Sequence, residues 1–110
     1  MTTTLEPLLD TVLECQKACN NCFDACLKED DIKMMAECIR LDRECAELCG
    51  LVLDFAQRDS DRLPEILALS ANASDACADE CEKHDMDHCQ KCAKACRESA
   101  QACREYAAQL

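Results

Sequence analysis

The chain has 110 residues, 13 cysteines, one glycine, two prolines and a formal net charge of −11. This length suits a single domain over residues 1–110, and the scarcity of Gly, Pro and aromatic residues predicts an all-α fold. The negative charge argues against nucleic acid or an anionic membrane as a partner, because both are bound through Lys and Arg. The chain shows no secretory signal and no apolar run of about eighteen residues that could cross a membrane. We therefore expect a cytoplasmic protein with reduced thiols.

The first predicted helix begins near Thr3 and runs to about Lys28. Thr3 and Glu6 form a capping-box pattern, and Pro7 is tolerated in the first turn. Four cysteines then follow at spacings of four, three and four residues, which place them on one helical face: Cys15, Cys19, Cys22 and Cys26. Towards the N-terminus the same face holds Leu5, Leu8 and Val12. The helix face therefore changes from apolar to thiol along its length.

Three further helices repeat this pattern. The second, capped by Asp30, runs from about Asp31 to about Arg58, and its predicted inward residues are Cys38, Cys45, Cys49 and Val52, with Leu41, Leu48 and Phe55 beside them. The third starts after Ser60 or Asp61 and keeps one register through Leu63, Leu67, Ser70, Ser74, Cys77, Cys81 and His84. The fourth, capped by Asp85, carries Cys89, Cys92, Cys96, Ser99, Cys103, Tyr106 and Leu110. Short connections predict an antiparallel up-down-up-down four-helix bundle with a cysteine-lined core. Gly50, in mid-helix, indicates the close approach of a neighbouring helix or subunit.

In such a bundle the cysteines gather at one end. The other end is predicted to be an apolar plug formed by Leu5, Leu8, Val12, Val52, Phe55, Leu63, Leu67, Tyr106 and Leu110. The thiol-rich end also collects every Met and His except Met1, namely Met34, Met35, His84, Met86 and His88. We expect this Met/His cluster to receive incoming metal ions. The competing interpretation is ordinary packing, since Met often fills gaps and a single His is often a surface residue.

The thiol pattern predicts a metal store selective for Cu(I). Five Cys-x3-Cys pairs each place two sulfurs on one face, and two-coordinate binding between such sulfurs suits Cu(I). Structural zinc needs four ligands around each ion, and sets of that kind do not separate out in the sequence. Asp42 lies between Cys38 and Cys45, but Leu41 can take the inward position. We therefore expect Asp42 at the flank and no carboxylate inside the core.

Several other functions compete with copper storage. A general zinc or cadmium buffer is the closest, because thiolates bind those ions too. An iron–sulfur electron carrier is suggested by the two Cys-x2-Cys pairs, although clusters are usually held by looped motifs. A redox enzyme would use Cys19 and Cys22, but no βαβ context surrounds them. Cysteine as a small core hydrophobe would explain one or two positions, not thirteen in register. No catalytic constellation is evident, so we do not expect an enzyme.

The chain resembles the bacterial four-helix-bundle copper storage proteins over essentially its whole length. The resemblance is carried by the Cys-x3-Cys pairs on all four helices, by Cys19-x2-Cys22 and Cys89-x2-Cys92, and by the Met/His cluster. It implies multiple Cu(I) ions per chain, with ions entering at the Met/His end, and assembly as a homotetramer. It also implies copper ions as partners, delivered by a copper chaperone or a small thiol. Without a leader the chain looks like the cytosolic branch of the family. The third of the bundle that holds the apolar plug has no thiols, which implies a lower copper capacity than that of members lined with thiols along their whole length.

Overall fold

Four α-helices make up most of residues 2–110, which is the part of the chain that the computed structural model describes, with side chains from Leu5 onwards. The helices are α1 (Thr2–Leu27), α2 (Ala36–Gln57), α3 (Leu63–Cys81) and α4 (Asp87–Ala108), and a 3-10 turn over Lys33–Met35 precedes α2. Residues 2–110 contain no strand, so the all-α prediction is confirmed. The predicted Thr3 cap lies outside the residues whose side chains are described.

The helices pack as a four-membered ring in chain order. Contacts join α1 to α2, α2 to α3, α3 to α4, and α4 back to α1. Connections of five to eight residues link them, over 28–35, 58–62 and 82–86, and such short links make sequential helices antiparallel. The bundle measures 47 × 18 × 17 Å along its principal axes. The four-helix-bundle prediction is therefore confirmed. None of the helices in the described part of the chain is long and apolar enough to span a membrane.

The helix ends differ from prediction in three places. Helix α2 begins at Ala36 rather than near Asp31, because the tighter 3-10 turn comes first. The residue that contacts the backbone there is Asp31, whose Oδ1 accepts a hydrogen bond from the Met34 N–H at 3.2 Å, so the Asp30 cap is wrong. Helix α3 ends at Cys81, three residues before His84. The N-cap residue of α4 is Met86, in an extended conformation and without a side-chain cap, so the Asp85 cap is also wrong.

The apolar plug forms at the predicted end of the bundle. Its fully buried members are Leu8, Val12, Val52, Leu63 and Leu67, and Leu5, Phe55 and Tyr106 are half-buried against them. Leu110 is the exception, with 63% of its surface exposed. Helix α4 ends at Ala108, so Leu110 lies beyond the helical register that would have turned it inward.

Gly50 of α2 lies where α1 approaches. A Cβ at this position would be 3.2 Å from the Gln16 Nε2 atom of α1. The same Gln16 amide donates a hydrogen bond to the Ala46 carbonyl at 3.4 Å. The glycine thus leaves room for a side chain that ties α1 to α2, which agrees with the predicted close approach of a neighbouring helix.

The metal-free protein is expected to remain helical because the plug stabilises the bundle without metal. Each fully buried large apolar side chain contributes roughly 1.5–3 kcal/mol. Leu67→Ala should therefore lower the free energy of unfolding by about 2–5 kcal/mol. The matched control Leu69→Ala, on the same helix but 53% exposed, should change it little. Circular dichroism and urea unfolding, with reductant and chelator present, measure both quantities; a random-coil apo-protein would contradict the expectation.

Candidate metal centre

All thirteen cysteine side chains are fully buried, and none forms a disulfide. They line the upper part of the bundle axis, because the four helices carry them on their inward faces at the predicted end. Contacts between sulfurs cross from helix to helix. Cys38 Sγ lies 3.5 Å from Cys81 Sγ, joining α2 to α3. Cys19 Sγ lies 3.7 Å from Cys96 Sγ, joining α1 to α4. The sulfurs therefore form one core rather than four separate rows.

Within this core, ligand atoms form four groups in which all atoms lie within 4.8 Å of one another. The groups are Cys15, Cys19, Cys45 and Cys96; Cys19, Cys77, Cys92 and Cys96; Cys22, Asp42, Cys81 and Cys92; and Cys22, Cys26, Cys38 and Cys89. Four cysteines belong to two groups each: Cys19, Cys22, Cys92 and Cys96. Sets of four thus exist, but they share members and form a continuous array. Cys49 and Cys103 belong to none of the four groups.

The sulfur separations suit bridging by metal ions. Along single helices, the distance is 3.8 Å for Cys22 and Cys26, 3.9 Å for Cys92 and Cys96, and 4.0 Å for the corresponding α3 pair. With metal–sulfur bonds of about 2.3 Å, two opposed sulfurs would be about 4.6 Å apart, and three or four sulfurs around one ion about 3.8–4.0 Å apart. The core as it stands fits three or four sulfurs around one ion. Two-coordinate binding requires each pair to open by somewhat less than 1 Å.

Asp42 lies inside the thiol core, so the prediction that it stays at the flank is wrong. Its side chain is fully buried, whereas Leu41 is only half-buried. The carboxylate is surrounded by thiols: Oδ1 accepts from Cys77 Sγ at 3.1 Å and from Cys92 Sγ at 3.4 Å. Oδ2 accepts from Cys38 Sγ at 3.8 Å. These S–H donors partly replace the water that the carboxylate loses on burial.

The sequence contains a signal that could have placed Asp42 correctly. The residues Cys38, Asp42, Cys45 and Cys49 are spaced four, three and four apart, which is also the spacing of the four cysteines of α1. The register of α2 therefore has an aspartate at a thiol position. Burial raises the pKa of Asp42 to about 8, and the electrostatic effect of the nearby Cys81 and Cys38 sulfurs is a smaller cause in the same direction. The side chain is consequently mostly a neutral carboxylic acid near pH 7 in the metal-free protein.

Burial also keeps the thiols at the rims of the array protonated. Desolvation is the largest effect on three of them, raising the pKa of Cys89 to about 12, that of Cys103 to about 11, and that of Cys26 well above its usual range. A neutral thiol is the stable form in an apolar core because no water solvates the thiolate. Metal binding there must release a proton, since the thiolate is the ligand.

Serine side chains border the thiol array on the side of the plug. Ser74 Oγ lies 3.4 Å from Cys45 Sγ. Ser70 and Ser99 are fully buried, and their hydroxyl oxygens form no hydrogen bond with any residue that the structure describes. All three occupy the inward registers that were predicted for them. They mark the level at which the inward positions change from thiol to apolar.

The five residues of the predicted Met/His cluster have different environments. His88 contacts the core directly: its Nδ1 atom lies 3.4 Å from Cys22 Sγ and 3.6 Å from Cys89 Sγ. Those two sulfurs are 3.9 Å apart, so the three atoms surround one point at the top of the array. His84, in the connection after α3, is mostly buried, and its Nε2 pairs at 2.9 Å with Oε2 of Glu80 at the end of α3.

The methionines of the cluster are equally varied. Met35 is fully buried in the core, and Met86 is half-buried against it at the start of α4. Met34 is 53% exposed. Met34 and Met35 are consecutive residues of the 3-10 turn, whose three residues per turn separate neighbouring side chains by about 120°. Among the five residues of the cluster, His88 is the one whose ring nitrogen contacts two core thiols.

A four-helix bundle with a continuous array of buried thiols defines a protein that binds soft metal ions through thiolate. Comparison with known families agrees with this class. The sequence model of the family described as "Csp: Copper storage protein" matches residues 1–108. The chain belongs to the copper storage protein family. The resemblance noted in the sequence is thereby confirmed.

Individual relatives are similar along most of their length. The uncharacterized cysteine-rich protein YhjQ of Bacillus subtilis is 50% identical over 90 residues, covering 82% of this chain and 83% of YhjQ. The Cu(I)-bound copper storage protein BsCsp3 is 48% identical, with a TM-score of 0.91 and coverage of 94% of this chain and 98% of BsCsp3. The Streptomyces lividans copper storage protein Ccsp, in a structure loaded with 10 copper equivalents, is 34% identical with a TM-score of 0.94. The match covers 98% of this chain and 86% of Ccsp.

Proposed function

We propose that this protein stores multiple Cu(I) ions in its thiol core and thereby buffers copper in the cytoplasm. The observation that carries the proposal is the continuous array, in which eleven cysteines belong to overlapping ligand groups. Because neighbouring groups share sulfurs, one thiolate can bridge two ions, and the capacity can approach the number of thiols. The Streptomyces neighbour, described as a cytosolic copper storage protein, supports the cytoplasmic location. The proposal assigns no catalytic reaction to the chain.

The donor atoms favour a soft ion. Thiolate selects Cu(I) over Mg²⁺, Ca²⁺ and Mn²⁺, which prefer oxygen ligands. One buried carboxylate among thirteen thiols does not change that preference. Each Cu(I) replaces a thiol proton, so the core remains close to neutral while it fills, and the cost of burying bare cations is avoided.

The proposed ligands are the thirteen cysteines, with other atoms at particular levels of the array. Asp42 adds an oxygen to the group of Cys22, Cys81 and Cys92. His88 adds a nitrogen beside Cys22 and Cys89. We retain the Met/His end of the bundle as the place where ions enter, with His88 as the member that contacts two core thiols and Met34 as the most exposed member. Delivery by a copper chaperone or a small thiol, and assembly as a homotetramer, belong to the same proposal.

A general zinc or cadmium buffer is the second candidate function. It is favoured by the four-atom groups themselves, since four ligand atoms within 4.8 Å of one another match the tetrahedral coordination of zinc. The two functions differ in capacity. Zinc takes four ligand atoms per ion, so the four groups hold about four ions even when thiolates bridge them, whereas Cu(I), with two or three sulfurs per ion, can reach a higher number.

The reduced apo-protein is expected to bind on the order of ten or more Cu(I) ions per chain because most thiols belong to one array. Anaerobic titration with Cu(I) against a competing chromophoric chelator measures the plateau. Parallel titration with Zn²⁺ should saturate at fewer ions, and added Cu(I) should displace the zinc. A plateau at one or two Cu(I) would contradict storage. Zinc that fills the core and resists Cu(I) would favour the general buffer.

A further inference from the structure

The imidazole of His88 is held between the thiol core and a carboxylate. On the inner side, Nδ1 faces Cys22 Sγ at 3.4 Å and Cys89 Sγ at 3.6 Å. On the outer side, Nε2 lies 2.9 Å from the Oε2 atom of Glu29. Glu29 belongs to the connection between α1 and α2, and it is 59 residues away from His88 in sequence. Side-chain exposure is 15% for His88 and 31% for Glu29, so the pair lies at the boundary between core and solvent.

This arrangement determines which ring nitrogen carries the hydrogen. A carboxylate only accepts hydrogen bonds, so a neutral imidazole facing Glu29 at 2.9 Å must place its N–H on Nε2. The Nδ1 atom then has a free lone pair, and that lone pair points at the two sulfurs. A soft metal ion bound there would use this lone pair together with the thiolates.

We propose that Glu29 is a positioning residue for the outermost copper site, which consists of His88 Nδ1 with the sulfurs of Cys22 and Cys89. The carboxylate fixes both the ring orientation and the Nε2–H tautomer, so that the three ligand atoms are arranged before an ion arrives. Outer-shell partners of this kind typically change metal affinity by about 10–100-fold when they are removed. The inference rests on the proposed storage of Cu(I), and it adds to that proposal a residue that is not itself a ligand.

The bundle contains a matched control for this pair. His84 Nε2 lies 2.9 Å from Glu80 Oε2, the same distance between the same atom types at the same end of the molecule. That pair is local, because Glu80, at the end of α3, is only four residues before His84 in the following connection, and Glu80 also binds Lys83 at 3.4 Å. Removing Glu80 therefore deletes an equivalent interaction without touching the imidazole that faces the thiols.

The first test uses the reduced, metal-free chain. Long-range ¹H–¹⁵N spectra of the neutral imidazoles should show His88 as the Nε2–H tautomer in the unchanged protein. Glu29→Ala should convert it to a mixture of tautomers, and Glu29→Gln should restore the original form at least in part, because the amide oxygen can still accept. Glu80→Ala should leave His88 unchanged. A His88 tautomer that is the same with and without the Glu29 carboxylate would overturn the proposal.

The second test measures copper. In stopped-flow loading at limiting Cu(I), Glu29→Ala and His88→Ala should each weaken or slow occupation of the outermost site by roughly ten-fold, and the double variant should lose no more than His88→Ala alone. Full stoichiometry should change by about one ion at most. Additive losses, or wild-type behaviour of Glu29→Ala, would show that Glu29 does not act through His88. A low plateau in the unchanged protein would instead refute storage and leave the tautomer result standing.

Discussion

Replacing Cys22 and Cys92 together by alanine is expected to lower the Cu(I) capacity by several ions per chain. Each of these residues belongs to two ligand groups, and together they take part in three of the four. Their loss removes at least one sulfur from each of those groups and also removes two bridges between groups. The number of Cu(I) ions lost per chain should therefore be larger than two, which is the number of thiols deleted.

The matched control is the double variant of Cys49 and Cys103. These cysteines are also fully buried, but they belong to none of the four groups. Alanine at both positions should lower the capacity by no more than about two ions, because the array stays connected. Anaerobic titration of both variants against the same chelator gives the comparison, with circular dichroism to verify that each is folded. Equal losses would show that the thiols bind independently and that sharing has no role in capacity.

The stability of the metal-free protein is expected to fall as pH rises from about 4 to about 8, and Asp42→Asn should remove much of that fall. Burial raises the folded-state pKa of Asp42 to about 8 from an ordinary value of 3.8. Between these values the unfolded chain releases the proton while the folded chain keeps it. Because the folded state then binds more protons, the free energy of unfolding decreases with pH. The decrease approaches about 1.4 kcal/mol per pH unit, and at most about 5 kcal/mol over the whole range.

Urea unfolding of the chelated, reduced protein at pH 5 and at pH 8 measures this effect. The difference in stability between the unchanged chain and Asp42→Asn should be several kcal/mol larger at pH 8 than at pH 5. Titrating groups that do not contact Asp42 are common to both chains and cancel in that difference. Asp54→Asn, at an exposed position on the same helix, serves as the control and should show no such dependence. Parallel pH profiles for the unchanged chain and Asp42→Asn would mean that Asp42 is ionised inside the core.

The register of the thiols could be predicted because a single spacing repeats on all four helices. A helix whose core-type residues are spaced four, three and four apart has them on one face, and that face must turn towards the other helices of the bundle. The thiol core and the apolar plug could therefore be predicted from the spacing. Asp42 was misplaced for a different reason. The prediction relied on the neighbouring apolar Leu41 as the inward residue of that turn, and the sequence does not reveal that surrounding S–H groups would accept a carboxylate instead.

Other features depend on local conformation that no repeat specifies. The predicted caps at Asp30 and Asp85 are wrong because a neighbouring residue takes each place: Asp31 contacts the backbone before α2, and Met86 begins α4 with no side-chain cap. The contact between Glu29 and His88 depends on the path of the α1–α2 connection, including its 3-10 turn. A glutamate in an acidic loop carries no spacing signal that would connect it with a histidine 59 residues later.

Because the apolar plug stabilises the fold without metal, the lifetime of the protein does not have to depend on how much metal is bound. Quality control in the cell acts mainly on unfolded chains, and a protein that folds only with its metal is exposed to proteolysis whenever the metal leaves. Here five buried aliphatic side chains lie on the plug side of the thiols and belong to no ligand group. An emptied chain would keep its helices and escape degradation. The cell could then withdraw its reserve during scarcity and refill the same molecules later, without new synthesis for each cycle.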